Sequence, residues 1–181
     1  MARESGSAKD MQSEQDKQVM YRDARAKGWY DDIWKTVGKC VFCDLREKYI
    51  IHEENGIVMT VPLYAYIDGQ LMIIPRRHVR SPKDLTDSEW LTMRKMFYLA
   101  KKIIRETHGI KGMQIIQKDG AAAQGTVEHL HFHCIPFDSP DLCQWNYRQL
   151  KNTPLENAQI YQSKSEDIQK LSKRYSKKYE Q

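Results

Sequence analysis

Apolar and polar positions follow two patterns along this chain, short runs of strand length, one of them alternating, and a helical period in one long run. Gly56–Val61 and Gly69–Ile74 are apolar runs of strand length, the second ended by Pro75. Between them lies an aromatic connector, Pro62-Leu63-Tyr64-Ala65-Tyr66. Met113–Gln117 and His129–Ile135 read as further strands. The helical run opens on Thr86-x-x-Glu89, a capping box. It repeats apolar side chains at Trp90, Met93, Phe97, Ala100 and Ile104 and reaches about His108, where Gly109 supplies the stop. Glu14–Lys27 predicts a short helix ending at Gly28, and Ile168, Leu171 and Tyr175 form an apolar stripe that predicts a docking helix. Residues 1–12 are small and polar and predict a disordered lead-in. Strands grouped around one long helix predict an α+β domain with an antiparallel sheet of about five strands, rather than a doubly wound one. The predicted organisation is a tail over 1–12, a catalytic domain over 13–150 and a helical extension over 151–181.

Composition narrows the class. With 181 residues, 40% of them apolar, the chain is long enough for one real core. No apolar run approaches the roughly 20 residues of a membrane helix. The N-terminus has no apolar signal core, and Glu4, Asp10, Glu14, Asp16 and Asp23 interrupt its basic residues, unlike a transit peptide. A cytoplasmic protein without a membrane partner is the expectation. The formal charge of +5 suits a polyanion such as a nucleotide, RNA or DNA without choosing among them, and much of the excess lies in Lys164–Lys178.

The candidate chemistry sits in one run, His129-Leu130-His131-Phe132-His133-Cys134-Ile135. Strand alternation puts the three imidazoles on one side and Leu130, Phe132 and Cys134 on the other, where a core wants them. Three converging imidazoles suit either a catalytic zinc or a nucleophilic histidine flanked by helpers. Immediately upstream, Asp119-Gly120-Ala121-Ala122-Ala123-Gln124-Gly125-Thr126 has almost no side-chain bulk, so its backbone N–H groups can approach an anion. That neighbour favours phosphoryl chemistry and the nucleophile. Cys40-x-x-Cys43 has the spacing of a zinc knuckle and equally of a redox pair. His52 and His108 read as ordinary surface residues, and Cys143 has no assignment.

Residues 40–136 resemble a histidine triad (HIT) domain. The matching pieces are Cys40-Val-Phe-Cys43, Gly69-Gln-Leu-Met-Ile-Ile-Pro75 with Arg77-His78, Asp119-Gly120, and Gln124-Gly-Thr-Val-Glu-His-Leu-His-Phe-His-Cys-Ile-Pro136. Leu63-Tyr64-Ala-Tyr66-x-x-Gly69 and Glu128-His129-Leu-His131 look most like the branch with bacterial diadenosine tetraphosphate phosphorylases. The resemblance implies a half-barrel sheet, a homodimer, and a nucleotidyl hydrolase or transferase that works through a nucleotidyl-histidine. By it His131 is the nucleophile, with His129 and His133 completing the catalytic triad; His133 contacts the phosphate and helps the leaving oxygen depart. Gln124, Thr126 and the backbone from Gly120 to Gly125 cradle the non-bridging oxygens. Gln70 takes a substrate-side place, and Tyr64 and Tyr66 either flank the base or serve as plain core or rim aromatics. In zinc-bearing relatives the positions matching Cys40, Cys43, His78 and His129 hold a structural zinc.

Three positions depart from the family's pattern. Gln70 stands where many members carry a histidine that supports the triad, Gln124-Gly125 reverses a common Gly-Gln order, and Phe137 replaces a frequent arginine. The leading expectation is an enzyme of small nucleotides such as dinucleoside polyphosphates or nucleoside phosphoramidates. The alternatives are a nucleic-acid end processor resembling aprataxin and a nucleotide-binding module with weak catalysis.

Overall fold

The computed structural model describes residues 14–24, 27, 38–139 and 151–179; the lead-in expected over 1–12, the stop expected at Gly28, and Cys143 lie outside them. The chain divides into two compact units, residues 1–139 and 140–181.

The first unit is an α+β domain. Its helices are α1 (Glu14–Asp23) and α2 (Asp87–His108); its strands are β1 (Ile50–Glu54), β2 (Ile57–Thr60), β3 (Leu71–Pro75), β4 (Gly112–Ile116) and β5 (Phe132–Phe137). They form one antiparallel sheet in the order β1-β2-β3-β5-β4. β1 was not legible as a strand, because only Ile50 and Ile51 are apolar in Ile-Ile-His-Glu-Glu and three of its five residues are exposed. It is an edge strand, and its true signal is the turn that follows. Asn55 (φ 47°) and Gly56 (φ 73°) both take the left-handed conformation that a two-residue hairpin requires.

α2 begins and ends where its caps dictate. The Thr86 side chain accepts from the Glu89 N–H, and the Glu89 carboxylate accepts from the Thr86 N–H. At the other end Gly109 is left-handed at φ 71°. The buried stripe of Met93, Met96, Ala100 and Ile104 lies on one sheet face with Ile57, Met59, Leu71, Ile73, Leu130, Phe132 and Cys134. Phe97 meets Phe132 edge to face at 5.3 Å. Burying each such side chain contributes about 1.5–3 kcal/mol, so this face anchors the strand that carries the histidines. The opposite face is also covered: Val58, Met72, Ile74 and the three triad histidines are all buried.

The helix expected over Glu14–Lys27 is shorter, ending at Asp23. The strand expected over His129–Ile135 starts later, at Phe132, and runs to Phe137. The pairing of β3 with β5 stops at Ile73↔Phe132, and residues before it are held otherwise: the Leu130 N–H donates to the Val79 carbonyl at 2.7 Å. The period of two nevertheless outlasts the ladder. Leu130, Phe132 and Cys134 all enter the core, and burial pushes the Cys134 thiol up to about 12. Pro136, one residue past the predicted end of the strand at Ile135, lies inside it beyond the last residue paired with β3, where a missing N–H is tolerated.

The second unit holds α3 (Pro154–Gln162), capped by a Thr153–Glu156 box, and α4 (Ser165–Tyr179). The predicted stripe does fall on a helix; Ile168 and Leu171 on it are each half-exposed. Among the described residues no helix is long and apolar enough to cross a membrane.

Candidate active site and metal centre

The three histidines are brought together, but each is tied by a different atom. His129 is fully buried, and its Nε2–H donates to the Pro75 carbonyl at 2.8 Å. A carbonyl only accepts, so the proton is on Nε2 and Nδ1 keeps its lone pair. That Nδ1 lies 3.5 Å from the Sγ of both Cys40 and Cys43. His131 is tied the other way round. Its Nδ1–H donates to the His129 carbonyl at 2.8 Å, which leaves the lone pair on Nε2. Burial, ahead of the nearby Lys118 charge, pushes the His131 imidazolium below its ordinary range, so the ring is neutral and nucleophilic at pH 7.

His133 is held by Gln70. The Gln70 Oε1 accepts from the Tyr66 backbone N–H at 2.7 Å, so the atom 2.9 Å from His133 Nδ1 is the amide nitrogen. An amide nitrogen only donates, so His133 accepts on Nδ1 and carries its own proton on Nε2. Gln70, the departure from the family's histidine, is thus buried and satisfied on both amide atoms. His131 and His133 stand edge to face at 5.0 Å.

A cavity of about 420 Å³ opens beside His129 and His131, lined also by Arg80, Lys118, Gly120, Gly125 and Thr126. The small-residue loop at its rim is a tight 3₁₀ turn over Ala121–Ala123. A side chain at Gly125 would stand 2.9 Å from the Lys118 carbonyl and 3.0 Å from the Gly120 carbonyl, so this position must be glycine. Gln124 takes the left-handed conformation beside it (φ 60°), and its Oε1 lies 3.5 Å from Lys118 Nζ. This geometry accounts for the reversed Gln-Gly order. The N–H groups of Ala123, Gln124 and Gly125 donate within the turn, to Gly120, Ala121 and Gly120 carbonyls. Of the two tyrosines singled out, Tyr66 lies 5.6 Å from the His133 ring, whereas Tyr64 packs edge to face on Tyr21 of α1.

Cys40, Cys43, His78 and His129 converge at the other end, all four ligand atoms within 4.8 Å of one another. His78 Nδ1 is 3.1 Å from Cys43 Sγ, and the His78 and His129 rings lie 4.7 Å apart. Two thiols and two imidazoles, each with its Nδ1 turned inward, match the donor set of a closed tetrahedral zinc site. His78 comes from just beyond β3, held by Arg77, whose guanidinium pairs with Glu89 at 2.7 Å. The residues the sequence did not single out are Phe42 and Lys118. Phe42 sits inside the Cys-x-x-Cys turn, with its ring 4.7 Å from His131 and 6.1 Å from His129. Lys118 stands one residue before the Asp119-Gly120 pair, and its side chain reaches Tyr66 and Gln124. Each was flanked by a motif that drew attention to its neighbours.

A five-stranded antiparallel sheet over one long helix, with a buried histidine triad on and just before the inner strand β5, defines the class. The HIT domain family model matches residues 46–139, just over half of the chain, and the chain belongs to that family. An AP-4-A phosphorylase of Mycobacterium tuberculosis is 30% identical over 95 residues, covering 48% of this chain and 49% of that protein. A HIT family protein from Bacillus anthracis superposes with a TM-score of 0.61 at 20% identity, over 74% of this chain and 99% of that one. A Zn-bound histidine triad family protein from Mycobacterium smegmatis gives 0.51 at 24% identity, over 63% and 84%. The two structural likenesses establish the shared fold.

Proposed function

We propose that this chain is a nucleotidyl hydrolase or transferase that cleaves at the α-phosphate of a nucleoside phosphate ester, anhydride or amidate, with a dinucleoside polyphosphate as the type substrate. The observation that carries the reading is the direction of His131: tied at Nδ1, it keeps a lone pair on Nε2 beside a cavity rimmed by small residues. The family supports a nucleotide-processing enzyme, and the likeness to an AP-4-A phosphorylase supports the polyphosphate class.

In this reading the His131 Nε2 attacks the α-phosphorus and a nucleotidyl-histidine forms while the bond to the leaving oxygen breaks. His133, with its proton on Nε2, donates to that oxygen. Thr126 and Gln124 contact the non-bridging oxygens. Because the N–H groups of Ala123, Gln124 and Gly125 are already engaged, any backbone cradle draws on those of Gly120, Ala121 and Ala122. Water or inorganic phosphate then releases the nucleotide.

Zinc held by Cys40, Cys43, His78 and His129 acts structurally in this proposal, since four protein ligands leave no open position for water. It would clamp the turn that carries Phe42 to the strand end that carries His129. The assembly we favour is a two-fold dimer, supported by Trp90, Leu91 and Tyr98 exposed on α2.

Incubation with diadenosine tetraphosphate, with and without phosphate, tests the reaction. AMP with ATP reports hydrolysis, and ADP with ATP in the presence of phosphate reports phosphorolysis. Binding without turnover leaves a nucleotide-binding module. Turnover of adenylated DNA, with none of the free dinucleotide, replaces the small-molecule reading with an end processor. Light scattering across a dilution series tests the dimer, which a monomeric mass at micromolar concentration excludes.

A further inference from the structure

The two C-terminal helices lie outside the matched HIT domain, and the proposed reaction makes no use of them. α4 is the more patterned of the two. Ile168 and Leu171 recur on it at helical spacing, and the sequence continues the stripe through Tyr175 and Tyr179. Lys170, Lys173 and Arg174 fall on the far side and flank of that stripe, and Lys177 and Lys178 follow in sequence. α3 has no such face, because Leu155, Ile160 and Tyr161 are spread around it.

Both faces of α4 are open. Ile168 and Leu171 are each 51% exposed, and none of residues 151–174 is buried. Lys170, Lys173 and Arg174 are exposed and, among the described residues, enter no ion pair. Residues 164–178 hold six Lys and Arg against two carboxylates, Glu166 and Asp167, so most of the chain's net charge of +5 sits in this segment.

A partner that fits must take an apolar stripe and a row of cations from one helix. A nucleic acid uses the cations and leaves the stripe in water. An apolar protein groove uses the stripe and leaves the cations without a counter-charge. An anionic lipid surface takes both, because phosphate headgroups and the acyl-chain boundary meet at one interface. Tyrosine, apolar in its ring and polar at its tip, suits that boundary. The sequence expectation of no membrane partner applies to helices that cross a bilayer, and a helix lying in its surface needs no spanning run.

We propose that α4 lies in the surface of an anionic membrane, with Ile168 and Leu171 turned to the acyl chains and Lys170, Lys173 and Arg174 at the phosphate headgroups. It tethers the HIT domain to that surface. With few apolar side chains the attachment is reversible and carried mainly by charge.

The test mixes the full chain with vesicles of phosphatidylcholine alone, or of phosphatidylcholine with phosphatidylglycerol, and measures the sedimented fraction across a salt series. Binding is expected to the anionic vesicles only, falling as salt rises. Lys170→Gln, Lys173→Gln and Arg174→Gln together should lower the partition coefficient by about 100-fold, the loss of three cations at an anionic surface. Ile168→Ser with Leu171→Ser should lower it by at least about 10-fold at unchanged charge. The thermal midpoint should stay within about 2 °C of wild type in both variants, since exposed substitutions change stability little. No binding to anionic vesicles, equal binding to neutral ones, or a stripe variant that binds like wild type overturns the proposal. An RNA or DNA oligonucleotide that binds more tightly than the vesicles, and equally well to the stripe variant, makes α4 a nucleic-acid contact instead.

Discussion

His129 and His131 are two residues apart, both buried, and both hydrogen-bonded to a backbone carbonyl, yet they present opposite nitrogens to their surroundings. His129 is tied through Nε2 to Pro75 and turns Nδ1 towards the sulfurs of Cys40 and Cys43. His131 is tied through Nδ1 to the carbonyl of His129 itself and keeps Nε2 for the cavity. In the proposed reading the same side chain serves as a ligand in one place and as a nucleophile in the other. What separates them is which ring nitrogen the backbone occupies, because a neutral imidazole has one donor and one acceptor. The candidate metal end joins residues from three distant parts of the chain, whereas the candidate catalytic end is held by the strand and by Gln70.

If the two ends are separate devices, they can be broken separately. The largest effect belongs to the nucleophile. His131→Ala should reduce turnover by more than about 10³-fold while nucleotide still binds and metal content stays at one per chain. Turnover near wild type removes His131 from its role. Next comes the metal end. Cys43→Ser should lose zinc by elemental analysis and lower the thermal midpoint by about 10 °C or more, because metal binding contributes directly to folding stability. Purified wild-type protein without metal, or with a Cys40–Cys43 disulfide, refutes the centre itself.

Gln70→Ala sharpens the comparison at the third histidine. It removes the donor to His133 Nδ1, so the ring can turn or change tautomer. We expect kcat to fall about 10–100-fold with little change in KM, and the nitrogen-15 pattern of His133 in NMR spectra to lose its single Nε2–H form. An unchanged kcat shows that His133 is oriented by something other than Gln70. The smallest effect serves as the control. Thr86→Ala removes the cap of α2 and should cost about 1 kcal/mol, seen as a fall of about 2–4 °C in the midpoint. Metal content and kcat should not move, and a coupled loss of either would tie the helix cap to the site.

Much of this molecule was legible from residue pattern. The capping box Thr86-x-x-Glu89 and the left-handed Gly109 bound α2 where expected, because caps satisfy backbone groups by local contacts alone. Alternation placed Leu130, Phe132 and Cys134 in the core even though residues 129–131 lie outside the assigned strand. It missed β1, whose side chains are polar because an edge strand buries so little, although Asn55-Gly56 marked the hairpin. Spacing alone did not decide between zinc and redox chemistry for Cys40 and Cys43. His78 and His129, 35 and 86 residues beyond Cys43, lie against its sulfur only once β3 and the start of β5 come together.

What the sequence determined by itself is the set of groups and the face they share: three imidazoles at a period of two, a loop too small to obstruct an anion, and an apolar helix to hold the sheet. What the tertiary structure alone decided is which nitrogen of each ring is free. Ring orientation depends on the carbonyls of Pro75 and His129 and on the amide of Gln70, partners set by backbone paths rather than by side-chain type. Lys118 follows the same logic. Its charge is written in the chain, but its place beside neutral oxygens on the cavity wall exists only after Tyr66 and Gln124 have been folded to either side of it.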